Sequence, residues 1–161
     1  MESTTLLLRL NENRNRQLDE IVDAAKRLGN ITKAQFYFLA GAYGYYLNEA
    51  EDISSKSIDV TRVEFLSRPE YKNAKIIIDC IYRAKESESK DRNDKYKLFE
   101  RYANAGVDEL YKMYEKSSKN IEELIECLEL ELKEALSVID LQDNEDDNGK
   151  EGEIDNEQYD E

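Results

Sequence analysis

Apolar residues recur at steps of three and four along most of this sequence, and this spacing constrains the fold more than any other feature. Leu18, Ile21, Val22 and Ala25 show it near the N-terminus, and Leu28 continues the stripe. Such spacing places apolar side chains on one face of an α-helix. The pattern predicts an all-α fold of about five helices. The predicted helices cover residues 17–28, 33–49, 68–83, 94–116 and 121–139.

A short β-strand is predicted before the first helix. Residues 4–10 alternate, with Leu6, Leu8 and Leu10 on one face. Thr5, Leu7 and Arg9 take the other face. A second short strand is predicted at Ile58–Val63. A strand followed by two helices resembles the ribbon-helix-helix plan, in which strands from two chains pair and enter the DNA major groove. In that plan Thr5 and Arg9 would contact bases.

The formal charge of −14 is unevenly distributed along the chain. Residues 1–100 hold 17 acidic and 17 basic residues, whereas residues 142–161 hold ten acidic residues and Lys150 alone. A segment with that composition has too little apolar surface to bury. We therefore predict a single helical domain over residues 1–141 and a disordered acidic tail over residues 142–161.

The composition narrows the possible chemistry. Histidine is absent, which excludes a Ser/His/Asp triad, a Cys/His pair and any histidine-bearing metal site. Two cysteines, Cys80 and Cys127, are too few for a zinc cluster or a disulfide framework, which suits a reducing cytoplasm. The longest uncharged stretch, Ala34–Asn48, is shorter than a membrane span requires. A general acid or base would have to be a carboxylate, lysine, tyrosine or cysteine. The sequence thus predicts a cytoplasmic protein that uses no metal or cofactor.

The helix over residues 33–49 is apolar nearly all round, which is typical of a helix in the interior or at a subunit contact. Thr32 and Gln35 form the pattern of a capping box at its start. Ala40, Gly41 and Gly44 are small, so another backbone can approach closely there. Tight packing within one chain and a contact in a homo-oligomer both remain open at this point.

Three stretches of the sequence resemble the DndE family, the small helical subunit of the bacterial DNA sulfur-modification (phosphorothioation) system. They are the L-L-L-R-L opening, the aromatic helix Ala34–Leu47, and V-E-F-L-S-R-P-E-Y followed later by Y-A-N-A-G-V-D-E-L-Y. The resemblance covers roughly residues 5–125. It implies a non-enzymatic accessory role in a DNA modification or defence system, in which the subunit forms a homo-oligomer, engages DNA such as nicked duplex, and docks partner subunits.

DNA binding of this kind requires a surface of lysine and arginine that contacts phosphates. The basic residues of the N-terminal region are the candidates for it. These nucleic-acid-binding candidates are Arg9, Arg14, Arg16, Lys26, Arg27 and Lys33.

The acidic C-terminal third supports a different class of function, an acidic interaction module or a DNA mimic that binds a nucleic-acid enzyme. Apolar residues from Ile121 to Ile139 alternate steps of four and three, as in a heptad repeat. They form either a stripe that faces the core or a short intermolecular coiled coil. Salt dependence separates the two function classes, because phosphate binding weakens steeply with added salt.

Overall fold

A computed structural model of the chain describes residues 5–85 and 94–148, with side chains described as far as residue 138. These residues form five α-helices and one two-stranded antiparallel sheet, which confirms a predominantly helical fold with a short N-terminal strand. The strands are β1 (Leu7–Asn11) and β2 (Ser57–Arg62). The helices are α1 (Glu12–Ala25), α2 (Lys33–Tyr46), α3 (Lys72–Ala84), α4 (Asp94–Lys116) and α5 (Ile121–Asn148).

The chain divides into two compact units, residues 1–121 and residues 122–161, which we call the body and the C-terminal unit. The division lies at the start of α5 and not at the predicted boundary after residue 141. Helix α5 continues to Asn148, so residues 142–148 of the predicted disordered tail are helical. Residues 149–161 of that tail lie outside the described residues.

Most helices of the body follow the predicted pattern. Helix α4 has the predicted bounds, and the Thr32 side chain accepts a hydrogen bond from the Gln35 N–H while the Gln35 side chain bonds back to the Thr32 N–H. The prediction for Leu28 is wrong, because α1 ends at Ala25 and Leu28 lies beyond it with 43% of its surface exposed. Helix α3 begins at Lys72, after two 3-10 turns that cover Val63–Ser67 and Pro69–Tyr71.

The contact between α2 and α4 forms the centre of the body, and small residues make it close. A Cβ added at Gly44 would lie 2.1 Å from the Tyr102 carbonyl oxygen, and one added at Gly106 would lie 1.8 Å from the Ala40 carbonyl oxygen. At Gly41 the phenyl ring of Phe99 occupies the corresponding space. The oligomer contact considered for Ala40, Gly41 and Gly44 is therefore replaced by contact with α4 of the same chain, where all three are buried.

Strand β1 is bonded within its own chain. It pairs with β2 in an antiparallel register from Leu7 opposite Arg62 to Asn11 opposite Ser57, with an irregularity between Leu8 and Arg9. This pairing confirms the second strand and differs from the ribbon-helix-helix plan, in which the partner strand belongs to a second chain. As predicted for the leucine face, Leu8 and Leu10 are fully buried.

Side chains of the body bond to further backbone groups of β1. The N–H of Arg9 donates to Glu100 Oε1 at 2.9 Å, and the N–H of Asn11 donates to Asn104 Oδ1 at 2.8 Å. The hydroxyl of Tyr37 donates to the Arg9 carbonyl oxygen at 3.2 Å. Helices α2 and α4 thus satisfy backbone groups that a second chain would need for pairing.

Among the described residues, no helix combines the length and the apolar character needed to cross a bilayer.

Candidate nucleic-acid interface

Three of the predicted DNA-binding residues form exposed ion pairs with nearby acids. Arg9 Nε lies 3.0 Å from Asp59 Oδ1, across the two strands of the sheet. On α1, Arg16 Nη2 lies 2.7 Å from the Glu12 carboxylate one turn earlier. The ammonium of Lys26 lies 2.6 Å from an oxygen of the carboxylate three residues before it. Each cation therefore meets an acid of the same chain, which reduces its attraction for phosphate.

Arg14 is the most firmly held of the predicted cations. Its side chain is only 17% exposed, with Nε 2.7 Å from Glu51 Oε2 and Nη1 2.6 Å from Asp108 Oδ1. Nη1 also donates to the Gln17 side chain. One guanidinium thereby joins α1, α4 and the connection before β2, which is a structural role.

The two remaining candidates also have partners. Lys33 donates to Asp19 at 2.7 Å and to the Asn15 amide oxygen. Arg27 also interacts with another group of the protein. The structure thus distributes the predicted cations over β1, α1, the turn after α1 and the start of α2, five of them in separate ion pairs, and does not gather them into one basic surface.

A basic surface does occur on α3 and the turn that precedes it. Lys72, Lys75 and Arg83 are exposed, and no carboxylate of the described residues lies within ion-pair distance of them. The guanidinium of Arg68 lies 3.8 Å from the centre of the Phe65 ring, which holds it by a cation–π contact while it remains exposed. We call Arg68, Lys72, Lys75 and Arg83 the α3 basic face.

The helical repeat brings these cations to one side of α3. Lys72 and Arg83 are eleven residues apart, which corresponds to three turns and a distance of about 16 Å along the axis. The opposite side of the helix carries Ala74, Ile78 and Ile81, all buried in the body. Packing therefore fixes the helix and directs its charged side outward.

Two acidic residues of this segment, Glu70 and Asp79, lower the charge of the face without cancelling it. Residues 68–85 hold five basic and two acidic residues. One of the acids, Asp79, lies 2.9 Å from the ammonium of Lys95 on α4. The fifth base, Lys85, donates to the Asn48 side chain at 2.8 Å and faces the rings of Tyr45 and Tyr102, so it is not counted in the face.

Sequence reasoning missed the α3 basic face because charges were summed over long blocks. Residues 51–100 contain eleven acids and eleven bases, and this balance conceals the excess of bases in residues 68–85. A shorter window combined with the helical repeat of α3 would have found it.

A buried polar cluster beside β1 was also missed. Glu100 is 8% exposed and Asn104 is fully buried, one turn apart on α4. Burial raises the pKa of Glu100 to about 7, although the N–H and the charge of Arg9 act in the opposite direction. Asn11 is equally central: its side chain accepts from the Ser54 N–H and donates to Glu51 and to the Asp52 carbonyl oxygen. These side-chain bonds hold β1 to the connection before β2, whereas the bonds of the Arg9 and Asn11 N–H groups to Glu100 and Asn104 hold it against α4.

The charges of the chain separate at the division between its two units. The body, residues 1–121, contains 20 acidic and 21 basic residues, whereas residues 122–161 contain 17 acidic and two basic residues. The acidity therefore belongs to the C-terminal unit, and the body has a net charge near zero. A basic face on the body is compatible with the acidic total.

Comparison with protein-family models, with curated proteins and with solved structures finds no match to this chain.

Proposed function

We propose that this chain is a non-enzymatic accessory protein that binds DNA through the α3 basic face. The observation that carries the proposal is the set of exposed cations on α3 without acidic partners among the described residues. Phosphate groups attract such cations and release counterions when they bind. Five of the six cations first considered near the N-terminus pair with acids instead, and Arg27 has an interaction within the chain, so they are not part of the proposed interface.

The resemblance to the DndE family suggests the biological system in which this DNA binding would act. It points to a DNA modification or defence system in which other subunits carry out the chemistry, and in which this protein contributes DNA contact and assembly as a homo-oligomer. Contacts to phosphate position a protein on the duplex without reading its sequence. The cations of the α3 basic face fit that role, since lysine and arginine on an exposed helix recognise the backbone of any duplex.

The test is a binding titration of the full chain with intact and nicked duplex DNA, at about 50 mM and about 200 mM salt. The test variant carries Lys72→Gln, Lys75→Gln and Arg83→Gln. We expect wild-type binding to weaken steeply with salt. The variant should bind at least about tenfold more weakly at low salt, and its salt slope should be smaller by about 3, since each phosphate contact contributes about 0.9.

A matched control removes the same charge elsewhere on the body. Arg16→Gln, Lys26→Gln and Lys112→Gln also lower the net charge by three, at exposed cations that are paired with acids. We expect this control to bind DNA much more tightly than the α3 variant. Equal losses in both variants would reduce the effect to net charge and contradict a specific face, and absence of wild-type binding at low salt would refute DNA binding altogether.

A further inference from the structure

The C-terminal unit presents an apolar stripe on α5 that the described residues cover only in part: Ile125, Leu128 and Ala135 are half-buried. Between Ile125 and Val138 no described side chain is buried. Leu132 is 59% exposed, Leu136 is 51% exposed and Val138 is 55% exposed. The expectation that the heptad stripe faces a core is therefore not met in this part of the helix.

The stripe has the geometry of a helix-pairing surface. Ile125, Leu128, Leu132 and Ala135 follow each other at steps of three and four, and Leu136 lies beside them on the same face. Together they form an apolar face of the width that a helix uses to pack against another helix. Leu130 has the same 59% exposure as Leu132 but lies on the opposite side of α5.

The charge around the stripe selects the kind of partner. Residues 122–138 contain six glutamates and Lys133, a net charge of −5. Glu129 lies at the edge of the stripe, Glu126 and Lys133 lie further round on the same side, and Glu134 lies on the opposite side of the helix near Leu130. The flanks of the stripe have a net charge of −3, from Glu122, Glu126, Glu129, Glu131 and Lys133. A second copy of α5 would bring −3 against −3 along the contact, and like charges that flank a helix pair oppose pairing. A helix with an apolar stripe flanked by lysine and arginine meets no such repulsion.

We propose that α5 is a docking helix for a basic amphipathic helix of another protein. Its apolar stripe from Ile125 to Leu136 would pack against the apolar stripe of the partner, and its glutamates would face the flanking cations. Charge complementarity of this kind speeds encounter and excludes acidic partners. This docking surface is separate from the α3 basic face, and it does not depend on whether the body binds DNA.

The test uses the full chain and two designed peptides that match the 28-residue length of α5. Both peptides have leucine at the a and d positions of a heptad repeat. One has lysine at the flanking e and g positions, and the other has glutamate there. We expect 1:1 binding of the lysine peptide, weakened by salt, and binding of the glutamate peptide that is weaker by about tenfold or more.

Two variants locate the binding on α5. Leu132→Ser combined with Leu136→Ser should weaken binding of the lysine peptide by about tenfold or more, because two apolar side chains lose their burial. Leu130→Ser removes an equally exposed leucine from the other side of the helix and should leave affinity within about twofold of wild type. Since all three side chains are at least half exposed, helicity measured by circular dichroism should be unchanged.

Sedimentation of the full chain without peptide tests whether a second copy of the chain binds to the α5 stripe. Self-association that Leu132→Ser abolishes would assign the stripe to a second copy and overturn the proposal. A chain that binds neither peptide would overturn the proposal as well. So would an equal loss of affinity in Leu130→Ser and in the variant that combines Leu132→Ser with Leu136→Ser. The α3 variant described above should bind the lysine peptide as wild type does, so the failure of one proposal is distinguishable from the failure of the other.

Discussion

The buried carboxyl of Glu100 makes the stability of the body depend on pH in a predictable direction. Its pKa in the folded protein is about 7, against an ordinary value of 4.5, because burial disfavours the charged form. The folded state therefore holds this proton more tightly than the unfolded state. Stability falls as pH rises from about 4.5 to about 7, and the full cost of ionisation persists at higher pH.

The substitution Glu100→Gln isolates this effect. A glutamine Oε1 can still accept the hydrogen bond that the Arg9 N–H donates at 2.9 Å, but the side chain no longer ionises. Each unit of pKa corresponds to about 1.4 kcal/mol, so the folded protein bears a cost of about 3 kcal/mol at pH 8 and about 1 kcal/mol at pH 5. Relative to wild type, the variant should gain about 2 kcal/mol between pH 5 and pH 8.

The assay is urea unfolding at pH 5 and pH 8, followed by far-ultraviolet circular dichroism. Glu115→Gln makes the same substitution at an exposed position of α4 and should change the free energy of unfolding by less than about 0.5 kcal/mol at either pH. All other titrating groups contribute equally to wild type and variant, so they cancel in the difference. A difference between Glu100→Gln and wild type that is the same at both pH values would refute the reasoning.

Three further predictions follow from the packing and charges of the chain. Gly44→Ala should lower the free energy of unfolding by about 2 kcal/mol or more, since its Cβ would collide with a backbone carbonyl of α4; urea unfolding measures this. Arg14→Lys should cost about 2 kcal/mol in the same assay, because one ammonium cannot reproduce the guanidinium that joins Glu51 and Asp108; a loss below about 0.5 kcal/mol would contradict this. Removal of residues 149–161, which carry six acids and one base, should strengthen DNA binding at low salt, and the gain should vanish at about 0.5 M salt, where the charges are screened.

The helices were predictable because their signals are local. The apolar stripe of α4 and the capping box at Thr32 each depend on residues within a few positions of one another, and both are confirmed. Leu28 fits the same stripe as Ala25, yet the helix ends before it, since a pattern of side chains does not state where the backbone leaves the helix.

The candidate site was less predictable because ion pairing is not local. The ion pair of Arg14 with Asp108 joins residues 94 positions apart, and no sequence spacing indicates it. A basic residue in the sequence can therefore bind a ligand or pair with an acid of the same chain, and only the fold distinguishes these two roles. Lys72 and Arg83 could have been placed on one face from local sequence alone. This requires the helical repeat of α3 together with the net charge of a window no longer than the helix.

The hydrogen bonds of β1 have a consequence for the order in which the chain folds. The N–H groups of Arg9 and Asn11 bond to side chains 91 and 93 positions later. During synthesis β1 leaves the ribosome before α4, and these groups find their partners only after Asn104 has emerged. Contacts of such long sequence separation form slowly. Strand β1 should accordingly be among the last parts of the body to become protected from amide hydrogen exchange, after the contact between α2 and α4 has formed.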